Sequence, residues 1–103
     1  MIIITGSIVA KSETVDELRT ISLAHVARSR TEDGCISHQV SVDCDNPLRL
    51  VFIEHWRDRA AILKHFADPQ ARAFAVSARH LAQVPPELNL FAATEIPLSS
   101  MAG

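Results

Sequence analysis

Residues 2–10 read I-I-I-T-G-S-I-V-A, with apolar side chains at both odd and even positions. Successive side chains of a strand point to opposite faces, so this run predicts a strand that is apolar on two sides. Lys11 to Glu13 breaks it, and Thr14-Val15-Asp16-Glu17 then has the form of a capping box. With Thr14 as N-cap and Glu17 returning to its amide, a helix is predicted to about Thr31. Glu32-Asp33-Gly34 is turn chemistry, Gly34 suiting a left-handed backbone position. Cys35 to Asp43 predicts a second strand, Asp45-Asn46-Pro47 a hairpin turn, and Leu48 to Trp56 a third strand. Asp58 can cap a helix through Phe66, and Asp68-Pro69 restarts the chain as a second helical piece to about Gln83. Pro85-Pro86 ends that piece, Leu88 to Glu95 predicts the last strand, and residues 96–103 form a frayed polar tail.

The order β-α-β-β-α-β predicts an α+β fold of ferredoxin-like type, with one antiparallel sheet carrying both helical regions on one face. At 103 residues, 48% of them apolar, the chain is one domain, 1–103, with enough material for a core. The first and third strands carry Ile, Val, Leu or Phe on both faces, so the helix-free face needs a cover. The simplest cover is the same sheet of a second copy, which predicts a homodimer built as an α+β barrel.

Charge and motifs narrow the partners. The formal charge is −2 with signs interspersed, and four Phe and one Trp without Tyr make a poor stacking platform, so no nucleic acid is expected. The N-terminal apolar run is short and lacks a basic lead, which argues against a signal peptide or membrane span. Cys35 and Cys44 flank one predicted strand and would sit about 30 Å apart at ~3.3 Å per residue, too far to bridge. Free thiols and no export signal point to the cytoplasm. No C-x-x-C, H-x-x-x-H or acidic loop suggests a metal, and three glycines make no phosphate or dinucleotide cradle, so no cofactor is expected.

Polar residues recur where the core should be. At 100° steps, Val15, Leu18, Ile21 and Val26 define the inward stripe of the first helix, and Ser22, His25 and Ser29 fall inside it. The plain reading is helix tilt at the core margin; the functional one is a polar-lined cavity between helix and sheet. On the second strand Ile36, His38, Val40 and Val42 share a face, and Cys35 and His38 point to opposite faces, which weakens a Cys-His nucleophile pair. The run V-F-I-E-H-W-R-D places Phe52, Glu54 and Trp56 on one face of the third strand and Val51, Ile53 and His55 on the other. Glu54 is either a structural acceptor or a carboxylate whose pKa is raised by desolvation beside Trp56. His65 lies just off the stripe of Ile62, Leu63 and Phe66, while His55 and His80 are peripheral.

Three runs carry a family pattern: D-G-C-I-S-H-Q-V, then D-N-P-L-R-L-V-F-I-E-H-W-R-D, then L-K-H-F-A-D-P-Q-A-R-A-F. As an ordered set they resemble the antibiotic biosynthesis monooxygenase domain family, and P-P-E-L-N-L-F resembles its last strand, so that the likeness spans roughly Ile2 to Glu95. The resemblance implies a dimer that pairs its sheets and a cavity between sheet and helices. It also implies a cofactor-independent monooxygenase acting on a small phenolic or quinol-like compound. His65 or His38 would be the base, and Ser22 and Gln70 would be donors. Trp56, Phe66 and Phe74 would hold a flat ring, with His25 and Glu54 as polar lining. Many members place a second histidine where this chain has Gln70, which can hydrogen-bond but not shuttle a proton. Haem degradation is disfavoured, because the position of the iron ligand in haem-degrading relatives corresponds here to Ala75. Two other readings stand beside the monooxygenase: an isomerase moving a proton on a small carbonyl compound, and a non-catalytic small-molecule-binding module.

Overall fold

Along β1 (Ile2–Val9) buried and half-buried residues alternate without a break, and Ile2, Ile4 and Ile8 point to the buried side. In the computed structural model, which describes residues 1–102, β1 is followed by α1 (Val15–Ser29), β2 (Cys35–Asp43) and β3 (Asn46–Trp56). Then come α2 (Arg59–Ala67), α3 (Pro69–Leu81), β4 (Glu87–Ala92) and a short 3-10 turn at Leu98–Met101. The four strands form one antiparallel sheet in the order β2-β3-β1-β4. This is the ferredoxin-like α+β arrangement predicted from the pattern, with the second helical region in two pieces.

Local chemistry explains most boundaries. Asp58 accepts a hydrogen bond from the Ala61 amide at 2.9 Å, and Asp68 accepts one from the Ala71 amide at 3.0 Å with Pro69 opening the helix. Gly34 holds φ +86°, and a Cβ there would collide with the Cβ of Ala61. Three expectations are corrected. Thr14 precedes α1 but caps nothing with its side chain, because its hydroxyl donates to the Leu81 carbonyl at 2.7 Å and accepts from the Lys11 amide at 3.0 Å. The hairpin turns at Cys44-Asp45, since Asp43 already pairs with Asn46, and so Asn46 and Pro47 belong to β3. The register of β2 shifts between Cys35 and Ser37. This irregularity puts Cys35 opposite Trp56 on the helix side and leaves Ile36 exposed, so Ile36 does not share the face of His38, and Cys35 does.

The core lies between the sheet and the helices in two apolar clusters. One gathers Ile8, Leu18, Val26, Leu50 and Phe52; the other gathers Ile2, Ile4, Trp56, Ala61 and Ile62. Along β3 the helix-facing order is Leu50, Phe52, Glu54, Trp56, so Glu54 stands on the seam between the clusters. Among the described residues, no helix lies on the other side of the sheet. Val51, Ile53, Ile36 and Phe91 are exposed there, beside half-buried Ile3 and Val9.

Candidate active site

The seam is polar because four elements each send one side chain into it. His25 comes from α1, His38 from β2, Glu54 from β3 and His65 from α2, and all four are buried. The ring centroids of His25 and His38 are 5.3 Å apart, those of His25 and His65 5.4 Å, and those of His38 and His65 6.2 Å. His25 stacks flat on Phe74 of α3 at 4.0 Å, and His65 packs on Trp56 at 4.7 Å. These imidazoles and Glu54 line the polar part of a cavity of about 510 Å³. Its apolar walls come from Phe52, Phe66 and Phe74, and Arg72, Arg79 and Glu87 also border it. Gly6 opposes Phe52 and Leu88 across the sheet and adds no side chain to the lining, which leaves the space free.

Hydrogen bonding sorts the polar groups. The Trp56 indole N–H donates to Glu54 Oε1 at 2.9 Å. Glu54 Oε2 lies 3.5 Å from His38 Nε2. Burial raises the pKa of Glu54 against the pull of the indole hydrogen bond. Burial, with the neighbouring imidazoles His25 and His65, lowers that of His38 to about 3. His38 is therefore neutral where it meets Glu54, and the contact is not an ion pair. Neither ring nitrogen of His38 has a hydrogen-bond partner among the described residues, although the residue is only 1% exposed. Buried polar atoms are rarely left this way, and this one faces a cavity. His25 is lowered to about 4, by burial first and then by His65. His65 differs from both, because its Nδ1 lies 2.9 and 3.1 Å from the two carboxylate oxygens of Glu32.

Of the residues singled out from the sequence, His25, His38, Glu54, His65, Phe66 and Phe74 share the cavity lining. Three do not. Gln70 is exposed in the first turn of α3 and lies off the lining, because Asp68 and Pro69 set that turn with Ala71 and Phe74 inward. Trp56 is fully buried behind His65 and supports the site from outside the wall, a place taken by Phe52. Ser22 is also fully buried and its hydroxyl lacks a partner, but it too stands off the lining. Cys35 faces the Trp56 cluster, yet burial raises its thiol pKa, the wrong direction for a nucleophile. Glu32 was legible only as a turn residue, since its partner His65 lies 33 positions away.

The family model for antibiotic biosynthesis monooxygenase matches residues 1–76. A Synechocystis protein of uncharacterized function is 31% identical over 91% of this chain, which spans 64% of that relative's length. Among solved structures, a provisionally named antibiotic biosynthesis monooxygenase of Deinococcus radiodurans superposes with a TM-score of 0.88 at 28% identity, covering 93% of this chain and 95% of the other. A Mycobacterium tuberculosis protein superposes with a TM-score of 0.86 at 22% identity, over 93% and 97% of the two chains, a likeness of fold. With about three quarters of its length matched by that model, the chain belongs to the antibiotic biosynthesis monooxygenase family.

Proposed function

We propose that the chain is a cofactor-independent monooxygenase that oxidises a small phenolic or quinol-like compound with molecular oxygen. The observation that carries this reading is the convergence of three buried imidazoles at one side of a phenylalanine-walled cavity, one of which, His38, has both ring nitrogens without a partner. A flat ring fits between Phe52, Phe66 and Phe74, with its hydroxyl toward the histidines. His65 takes the hydroxyl proton, and the electron-rich anion left behind reduces oxygen. For a hydroquinone the balance is one quinol plus one O2 giving one hydroxyquinone plus one water. One oxygen atom enters the ring, the other leaves as water, and all four electrons come from the substrate. His25 and His38, held neutral by burial, donate or accept hydrogen bonds without carrying charge. Membership of the family and the likeness to the Deinococcus protein support the same class of chemistry.

The test is oxygen uptake with a panel of quinols and phenols. His65→Ala should abolish uptake, and His65→Gln should keep the shape of the site and still lose most of the rate. Uptake by His65→Ala at the wild-type rate would make His65 structural. One observation favours a second reading, in which the protein moves a proton on a small carbonyl compound. His38 and His65 approach the cavity from different elements, as an isomerase would need, with His65 as base and neutral His38 as a hydrogen-bond partner of the carbonyl oxygen. Turnover of a carbonyl substrate under strict exclusion of oxygen would select it. In either case we infer that the working unit is a homodimer with a small-molecule substrate, a reading supported by the apolar helix-free face of the sheet.

A further inference from the structure

Glu32 does not line the cavity, and the turn that carries it is held by other means. Its amide donates to the Ser29 carbonyl at 3.0 Å, and its own carbonyl accepts from the Cys35 amide at 3.2 Å. Gly34 supplies the left-handed step. The carboxylate is therefore not needed to shape the turn, and it reaches across to α2 instead. We propose that Glu32 is a positioning residue for His65, whose ring it holds with Nδ1 protonated and Nε2 bare toward the cavity.

A neutral imidazole has one N–H and one lone pair, whereas a carboxylate only accepts. With both Glu32 oxygens within 3.1 Å of Nδ1, the proton must sit on Nδ1. The lone pair is then on Nε2, which makes no protein hydrogen bond among the described residues. His65 is 3% exposed, and its ring is flanked by Trp56 at 4.7 Å and His25 at 5.4 Å, packing that resists a flip. When Nε2 takes a proton from a substrate hydroxyl, the imidazolium is formed against a carboxylate already in contact, and the Nδ1 proton stays in its hydrogen bond. Glu32 keeps part of its side chain in solvent, over a shallow depression shared with Asp33, Lys64 and Asp68. The other titratable groups facing His65 are His25 from α1, His38 from β2 and Glu54 from β3. None of them hydrogen-bonds to its ring. Asymmetry between the histidines follows: only His65 has a carboxylate hydrogen-bonded to its ring, whereas Glu54 stays 3.5 Å from His38 Nε2 without a hydrogen bond, and so His65 is the one equipped to hold a proton during turnover.

The kinetic part rests on His65 being the base, as proposed above, but the tautomer does not. The imidazole nitrogens of 15N-labelled wild-type protein at pH 7.5, read through their two-bond couplings to ring protons, should show His65 with a protonated Nδ1 and a pyridine-like Nε2. A wild-type ring with the proton on Nε2 would overturn the proposal without any variant. Glu32→Gln keeps the shape but offers a carboxamide that can donate as well as accept. It should lose the Nδ1–H preference while the melting temperature stays near that of the wild type. An unchanged tautomer in a folded Glu32→Gln protein would also overturn the proposal. With a quinol that supports oxygen uptake, the same variant should lose at least about 10- to 100-fold in kcat with little change in KM, the range found when the hydrogen-bond partner behind a metal-ligating histidine is removed. An unchanged kcat beside an altered tautomer would overturn the kinetic role. If the tautomer behaves as expected and no quinol is oxidised by the wild type, the positioning stands and the monooxygenase reading fails.

Discussion

Glu54 sits between Phe52 and Trp56 on a strand face that is otherwise apolar, and it is tolerated because it has polar neighbours on both oxygens. One accepts the indole N–H and the other faces a neutral imidazole. Trp56→Ala would remove a fully buried ring and the donor to Glu54 together, and should cost about 3–5 kcal/mol. Urea denaturation followed by far-UV circular dichroism measures this, and an unchanged midpoint would show the ring to be dispensable to the core. The histidines make a second prediction. His25 and His38 have folded pKa values near 4 and 3, below the unfolded value of 6.5. Between pH 6.5 and about 4 the unfolded chain binds protons that the folded one refuses, so stability falls as pH falls through that window. Glu54, with its pKa raised, acts in the opposite direction above its unfolded value of 4.5, but two imidazoles outweigh one carboxyl. The urea midpoint should therefore drop between pH 6.5 and 4 and drop less in His38→Gln; a flat profile would contradict the burial of the histidines. At this scale the sequence showed His25 and His38 plainly, because each breaks an apolar face whose period is known. It could not show Glu32 meeting His65, which depends on how a turn after α1 lands on α2.

At the scale of elements, what could be read was local and what could not be read was tertiary. Asp58, Asp68 and Pro69 act within one turn of helix, and both helix starts lie where those residues place them. Thr14-x-x-Glu17 has the same kind of local signal, but its hydroxyl is taken by the Leu81 carbonyl, 67 positions away, and tertiary contact overrides the motif. The irregularity in β2 is likewise invisible to a count of alternating positions. It exchanges Cys35 for Ile36 on the buried face while leaving His38 opposite Glu54. Gly34 joins both scales, being a turn glycine by sequence and a packing glycine by contact. Gly34→Ala must accept a positive φ and push its methyl against Ala61. It should cost more than the roughly 1–2 kcal/mol of a left-handed alanine alone, and the turn that carries Glu32 should shift with it. Chemical denaturation gives the first quantity. The chemical shifts of the His65 ring report the second, and their constancy would show that turn and site are uncoupled.

For the molecule as a whole, the open question is the second face of the sheet. Val51 is 36%, Ile53 41%, Phe91 53% and Ile36 59% exposed on a surface that no helix covers. An apolar surface of this kind, spread over β1, β3 and β4 as well as the edge strand β2, is seldom left in water by a stable monomer. Among possible covers a second copy needs no further partner. A two-fold axis through the sheet would set Ile53 and Val51 of one protomer near their own equivalents, and an interface of that sort resembles a core cut in half. The cavity lies on the opposite side of the same sheet, so dimerisation would stiffen its floor without closing it. Sedimentation velocity at micromolar concentration should then give the mass of a dimer. Ile53→Glu should yield a folded monomer, because each substituted carboxylate would be buried against apolar neighbours and close to its two-fold mate. The helix-side core does not include residue 53, so the circular dichroism spectrum of that monomer should keep its native shape. A wild-type protein that sediments as a monomer, or an Ile53→Glu protein that stays dimeric, would show that this face is not where copies of the chain meet.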